Sequence, residues 1–154
     1  MIIAKKPDML AAFGVDEMEA LTLWGLPQSE EPTDAAREQV LENALGRAGS
    51  EAASYLAARY PLFRKPALPD GLVVPPVLVN AVCDIARYRL TGGEASETSP
   101  IVKRYEQAIA WLRDIAAGRA TLTLPEDEES ESLSGLAFSS GGRIWATTTQ
   151  EEDE

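Results

Sequence analysis

The sequence predicts an all-α fold: a small bundle of about four to five helices with a proline-rich connector, a short strand that could form near residue 121, and an extended C-terminal tail. Three observations predict it. Apolar residues recur at helical spacing, prolines and glycines mark the segment ends, and the composition changes after residue 125. A chain of 154 residues suits one folded domain. We therefore expect a helical domain over residues 1–125 and an acidic, flexible tail over residues 126–154.

The first helical segment covers residues 7–24 and has a glycine in its middle. Gly14 stops the first turns and Asp16 is placed to cap a second helix, so one or two short helices are expected. Residues 25–32 contain two prolines and few apolar residues, which is typical of a loop.

A long central helix is expected next, from Thr33 or Asp34 to about residue 60. Both starting residues are good N-caps, and alanines then recur at helical spacing along one stripe. The same stripe contains Gly46 and Gly49, each of which costs about 1 kcal/mol inside a helix. We expect these two glycines to allow the close approach of another helix.

Two further helices follow a connector, residues 61–76, that contains five prolines. The third helix begins near Pro76, a favourable first position, and ends at Gly92. The fourth helix begins after a Ser99 cap and ends at Gly118. Its apolar seam, with alternating spacings of four and three residues, consists of Ile101, Tyr105, Ala108, Leu112 and Ile115.

A period-2 pattern over residues 121–124 could form a short strand. A lone strand of this length is not stable without a partner strand. Leu122 and Leu124 are therefore candidates for contact with another subunit or another protein. Trp111 is a further candidate, because it neighbours the seam of the fourth helix and lies either at a core edge or partly exposed.

The predicted end of the long helix gathers two tyrosines and an arginine. Tyr55 and Arg59 are four residues apart and share one face, Tyr60 lies beside that face, and Pro61 stops the helix. Such an end is either a corner of the core or a contact surface. We expect the tyrosines to be buried, whereas Arg59 either pairs with Asp84 inside the chain or reaches an acid of a neighbouring subunit.

Most of the net charge of −11 belongs to the tail. Residues 1–125 hold 13 basic and 16 acidic residues, a net charge of −3, whereas residues 126–154 hold one basic and nine acidic residues, a net charge of −8. These totals do not indicate a basic nucleic-acid groove. The tail also carries apolar side chains that a purely solvating segment would not need, and we expect them to dock on a partner. The candidate docking residues are Phe138, Arg143, Ile144 and Trp145.

The residue types needed for common chemistries are scarce. The chain has no histidine, and its one cysteine, Cys83, lies in an apolar helical run, which predicts a small buried core side chain.

We find no signal-peptide pattern and no run long enough to cross a bilayer, so a soluble protein made in a reducing cytoplasm is expected. We expect no catalytic activity, no metal and no cofactor. A carboxylate-only hydrolase stays open as an alternative, although Asp84 has no second acid beside it. We expect Asp84 to pair with a nearby arginine instead, such as Arg87, three residues further on, or Arg59.

Several short motifs, taken together in order, resemble a family of small proteins from Mu-like phages and prophages. The resemblance spans about residues 5–125 and matches the tail loosely at residues 142–145. The motifs are DML (8–10), FG (13–14), AL (44–45), YLAARYPL (55–62), DIARYRL (84–90), RY (104–105), WL (111–112), IAAG (115–118) and GRIW (142–145). Their order carries the specificity, since no single motif would suffice.

The resemblance implies a structural protein of the virion, since this family is regarded as a head–tail junction or neck component. By analogy with other head–tail adaptors, it implies a ring of about twelve copies between the portal protein and the tail or tail-terminator proteins. DNA would pass through the ring without sequence-specific binding. The protein would then reside in the virion and, during assembly, in the host cytoplasm. The alternative is an acidic cytosolic protein-interaction module, such as a DNA mimic or a regulator.

Overall fold

The computed structural model of the chain describes residues 1–27, 31–92, 96 and 99–124. Within these ranges it contains five α-helices and one short 3₁₀ helix, and no strand. The predicted all-α fold is confirmed, while the tail from residue 126 onward lies outside the described residues. The α-helices are α1 (Lys6–Phe13), α2 (Val15–Trp24), α3 (Asp34–Leu56), α4 (Pro76–Leu90) and α5 (Pro100–Ala116), and the 3₁₀ helix is Pro61–Arg64.

The helix ends follow local signals in the sequence. Gly14 separates α1 from α2 with φ +82°, a value that suits a residue without a Cβ atom. The Thr33 hydroxyl caps α3 by accepting a hydrogen bond from the Ala36 amide at 3.2 Å, and the Ser99 hydroxyl caps α5 in a similar way. Gly118, with φ +78°, follows the end of α5 as predicted.

Helix α3 ends at Leu56, one turn before the predicted position. Tyr60 has an extended backbone, φ −113° and ψ 102°, as expected for the residue before Pro61. The Arg64 side chain then turns back on the helix end, where its Nε donates a hydrogen bond to the Ala57 carbonyl at 2.7 Å. This contact satisfies a carbonyl oxygen that the helix itself leaves without a partner.

The core lies between α3, α4 and α5, which pack against one another. Helix α1 packs on α4, and α2 packs on both α3 and α4. The expected stripe of α3 is buried from Ala44 to Leu56, but Ala36 and Val40 are only half-buried. The largest side chains that are fully buried are Met9, Leu56, Leu78, Val82, Ile85, Leu90, Leu112, Ile115 and Leu122.

Two arginines of α4 tie this helix to its neighbours. The Arg87 Nε donates a hydrogen bond to Glu17 Oε1 of α2 at 2.6 Å, and its guanidinium carbon lies 4.5 Å from the centre of the Phe13 ring. Arg89 forms an ion pair with Glu51 of α3. Because Arg87 and Arg89 leave α4 on different sides, they connect it to α2 on one side and to α3 on the other.

The two glycines of α3 behave differently from the prediction. A Cβ atom at Gly49 would collide with the backbone carbonyl of Met1, so the close approach is made by the N-terminal segment and not by another helix. A Cβ atom at Gly46 would meet nothing within 4 Å. The expectation of helix–helix approach at these glycines was therefore wrong.

The short strand that could have formed over residues 121–124 is absent from the described structure. The Leu122 amide donates its hydrogen bond to the Tyr60 hydroxyl oxygen at 2.6 Å, and not to a neighbouring strand. The side-chain alternation has a different cause: Leu122 and Leu124 enter the core while Thr121 and Thr123 are exposed. In the described part of the chain, no helix combines the length and apolar character needed to cross a membrane.

Candidate interaction surfaces

The last described residues, 118–124, lie against the end of α3, and we call them the tail root. Leu122 is 1% exposed and Leu124 is 4% exposed, so both belong to the core of their own chain. Tyr60 holds the backbone of this segment through its hydroxyl, and its ring packs edge-on against Phe63 at 6.4 Å between ring centres. The chain is therefore held on the body up to Leu124, the last described residue.

Arg59 lies at the same place, on the outside of the tail root. Its Nη1 is so close to the Cα of Gly118 that a Cβ atom there would overlap it. Arg59 is exposed, and it forms no ion pair with any residue that the structure describes. The predicted internal pair with Asp84 is therefore wrong, and a contact between Arg59 and a neighbouring subunit stays a prediction.

Asp84 instead faces Arg104 of α5, with 3.8 Å between Oδ1 and Nη1. This Oδ1 is buried and makes no hydrogen bond within the described chain. Burial raises the pKa of Asp84, while the charges of Arg104 and Arg87 oppose the rise. The predicted pair between Asp84 and Arg87 does not form, because the direct partner of Arg87 is Glu17. Arg87 acts on Asp84 only through its more distant charge, whose effect on the pKa is smaller than that of Arg104. The partner of Asp84 is thus a cation, whereas a carboxylate-only hydrolase would need a second acid there.

The Cys83 thiol is buried in α4, as the sequence predicts. Burial raises its pKa to about 12, with smaller contributions from the negative charges of Asp8 and Asp84. A neutral thiol of this kind packs like a small apolar side chain. Among the described residues, no group of three or more histidine, cysteine, aspartate or glutamate side chains is arranged to hold a metal ion.

The remaining predicted contact residues divide into two groups. Trp111 is half-buried at the edge of the core, one of the two positions that the sequence left open for it. Leu122 and Leu124 are buried in the chain itself, so their contact with a partner stays a prediction and would require the tail root to move. The other group, which lies outside the described residues, is Phe138, Arg143, Ile144 and Trp145.

Sequence reasoning missed the exposed apolar side chains of the body. Trp24, at the end of α2, is 65% exposed, and Leu23 beside it is also exposed. Val73 and Val77 are exposed on either side of the start of α4, next to an open groove against α1. A signal existed for Trp24, since a tryptophan directly before a glycine and a proline-containing loop leaves the helix where little chain can cover it. Large exposed apolar residues of this kind are common at protein interfaces.

A shallow cleft of about 310 Å³ between α1, α2 and α3 offers a further contact surface. The Nε of Arg37 is buried there and has no hydrogen-bond partner within the described residues. Lys6 and Glu38, which pair at 2.8 Å, form part of the rim. The apolar residues that line the cleft are Leu10, Val15, Met18 and Leu41.

An aromatic stack between α4 and α5 was also not predicted. The rings of Tyr88 and Tyr105 lie 4.1 Å apart between centres, with 17° between their planes. Burial raises the pKa of the Tyr105 hydroxyl, and the nearby Glu51 carboxylate raises it further. The stack fixes α5 against α4 at the half-buried edge of the bundle.

Over the described residues, these features define a small all-α protein whose tail root is anchored to the body and whose surface exposes several apolar side chains. Residues 4–140 match the family described as "Bacteriophage Mu, Gp36", and the chain belongs to that family. It is also similar to the "Mu-like prophage FluMu protein gp36" of Haemophilus influenzae. The two are 29% identical over 150 residues, which cover 97% of this chain and 96% of that protein. The predicted membership of a Mu-like phage family is confirmed.

Proposed function

We propose that this chain is a structural virion protein: a head–tail connector that forms a ring between the portal and the tail and contributes to the DNA channel. The phage family supports the viral setting, and the connector role is our extension of it. The partners would be the portal protein on one side and tail or tail-terminator proteins on the other.

The observation that carries the proposal is the anchored tail root. Because Leu122 and Leu124 are buried and the Tyr60 hydroxyl accepts a hydrogen bond from the Leu122 amide, every copy would present residues 125–154 from the same point. A connector needs such a segment at a defined place, since its partners repeat around a symmetric ring. The apolar residues Phe138, Ile144 and Trp145 would supply the docking contacts.

Ring assembly requires two different surfaces on each copy, because a closed ring is built from head-to-tail contacts. The exposed apolar side chains of the described body include Trp24 on α2 and Val73 and Val77 around the start of α4, which offer two candidate surfaces on different elements. Pairing of the first surface with the second on the next copy would satisfy this requirement. A ring of about twelve copies is our proposal by analogy with other adaptors.

The charge distribution supports a channel that DNA crosses without binding tightly. The body carries a net charge of −3 and the tail a net charge of −8, so the net charge of the chain opposes tight binding to phosphates. We expect the isolated protein to show no tight binding to duplex DNA at low salt. Tight binding in a fluorescence-anisotropy titration would contradict this part of the proposal.

The decisive experiment is deletion of the gene from a Mu-like phage, followed by electron microscopy of the particles. DNA-filled heads without joined tails would support the connector, and normal virions would end the proposal. Complementation then tests the tail. The triple variant Phe138→Ala, Ile144→Ala, Trp145→Ala should leave heads and tails unjoined, whereas the control Thr147→Ala, Thr148→Ala, Thr149→Ala should restore joined particles.

A further inference from the structure

One end of the body collects exposed positive charge, and we call it the basic end. Arg59, Arg64 and Lys65 follow the end of α3, and Arg113 and Arg119 lie at the end of α5. The two groups meet where Arg59 lies against Gly118. All five basic side chains are exposed.

Only part of this charge has a partner within the described structure. Arg119 pairs with Asp114 at 2.6 Å, and Arg64 caps the carbonyl at the end of α3. Arg59, Lys65 and Arg113 form no ion pair with any described residue. Asp114 is the one acidic residue in residues 57–66 and 113–124 together, so the basic end keeps a net positive charge.

The acidic segment of the chain begins immediately beyond this end. Leu124 is buried in the tail root, and the next acid, Glu126, is only two residues further along. Two residues reach at most about 7 Å, which is less than the Debye length of about 10 Å at 0.1 M salt. The acids are Glu126, Asp127, Glu128, Glu129 and Glu131.

We propose that the acidic segment 126–131 binds the basic end of its own chain and neutralises it. The short connection to Leu124 gives these carboxylates a high effective concentration at the basic end. A second copy of the chain or a dissolved polyanion would compete with them only at a higher concentration than this. The contact would keep DNA phosphates away from Arg59, Lys65 and Arg113, because the same cations would otherwise attract them. The inference goes beyond the proposed function and does not depend on the connector role.

Carbodiimide cross-linking, which joins an amine directly to a carboxylate, tests the contact in the full chain. Lys65 is the one lysine at the basic end, and Lys103 is a matched control near the start of α5. Thirteen residues of helix separate Lys103 from Ala116, a distance of about 20 Å. We expect peptide mass spectrometry to find Lys65 joined to residues 126–131 at low salt, and about 0.5 M NaCl to abolish this product.

An equal mixture of ¹⁴N- and ¹⁵N-labelled protein shows whether the acidic segment bound at the basic end belongs to the same chain or to a second copy. Products in which both peptides carry the same isotope support the proposal. Mixed-isotope products would overturn it in favour of a contact between copies. Cross-links of Lys65 mainly to residues 151–154, or cross-links from Lys103 as abundant as those from Lys65, would also overturn it.

A pair of charge variants tests the consequence for DNA. The first changes Glu126→Gln, Asp127→Asn, Glu128→Gln and Glu129→Gln. The second changes Glu151→Gln, Glu152→Gln, Asp153→Asn and Glu154→Gln, which removes the same number and kind of charges. At about 25 mM NaCl we expect the first variant to bind a labelled duplex at least about tenfold more tightly than the second. Equal affinities would overturn the proposal, because net charge alone would then explain them.

Discussion

The Tyr60 hydroxyl accepts a hydrogen bond from the Leu122 amide, a contact between residues 62 positions apart in the chain. It joins the end of α3, the longest helix that the structure describes, to the tail root, which precedes the acidic tail in the sequence. The hydroxyl is the one atom of Tyr60 that makes this bond, so its removal isolates the contribution of the contact.

Tyr60→Phe should lower the free energy of unfolding by about 1 kcal/mol, because a partly buried amide loses its acceptor. Amide hydrogen exchange at Leu122 should accelerate at the same time. The matched control is Tyr55→Phe, one turn earlier, whose hydroxyl makes no hydrogen bond within the described residues. Equal effects of the two substitutions in denaturant titrations would contradict the role of the Tyr60 hydroxyl.

Leu122→Ala should destabilise the protein by about 2–5 kcal/mol, since it leaves a cavity at a fully buried position. Thr123→Ala, at the exposed position next to it, should change stability by less than about 0.5 kcal/mol. Thermal denaturation of both variants measures the difference. A Leu122→Ala variant with unchanged stability but impaired assembly would instead favour the partner contact predicted from the sequence.

Gly46→Ala and Gly49→Ala should act in opposite directions, although both replace a glycine in the middle of α3. A Cβ atom at Gly46 meets nothing, so the better helix propensity of alanine should stabilise the protein by about 1 kcal/mol. At Gly49 the added carbon collides with the Met1 backbone and should destabilise it by about 1–3 kcal/mol. Urea titrations of the two variants would show the opposite shifts, and a stabilising Gly49→Ala would show that the N-terminal segment moves freely.

Asp84→Asn should stabilise the protein near pH 7 by at most about 1 kcal/mol, because it removes the desolvation cost of a partly buried charge, which outweighs the attraction of Arg104 at 3.8 Å. The folded-state pKa of Asp84 is raised, so its ionisation costs stability as the pH rises from the unfolded pKa, about 3.9, through the folded value. Below that window both forms are neutral and the two proteins should be equally stable. Melting temperatures between pH 3 and pH 7 test this, and a difference that grows toward pH 3 would contradict it.

Cys83 should react slowly with thiol reagents at pH 8 in the folded protein. Its pKa is raised to about 12 and the side chain is buried, so almost no accessible thiolate exists. In denaturant the pKa returns to about 8.5 and labelling should become fast. Labelling rates with a chromogenic disulfide measure both states, and fast labelling without denaturant would show that α4 opens readily.

Local signals predicted the helices well, because caps, prolines and glycines act within a few residues. Thr33, Ser99 and Gly118 each mark a helix end as expected. The end of α3 was misplaced by one turn, because residues 57–59 form turns in which the amides of Arg59 and Tyr60 both donate to the Leu56 carbonyl, and sequence spacing does not separate such turns from a last turn of α-helix.

Contacts between distant parts of the chain could not be predicted in the same way. The pattern over residues 121–124 suggested a short strand in need of a partner strand, whereas its cause is the burial of Leu122 and Leu124 against their own chain. The partner of Asp84 was misassigned for a similar reason: Arg87 is its neighbour in sequence, whereas Arg104 reaches it from another helix. The exposure of Trp24 was also not predicted, because a sequence pattern does not show which other residues cover a side chain.

The anchored tail root also determines how a mechanical load would enter the molecule. A pull on the chain beyond residue 124 meets two buried leucines and the Tyr60 hydrogen bond before it reaches any helix. The anchor lies at the C-terminal ends of both α3 and α5, and these helices pack against each other. Tension is therefore shared between two central helices of the bundle, and α5 is not unwound alone from its free end.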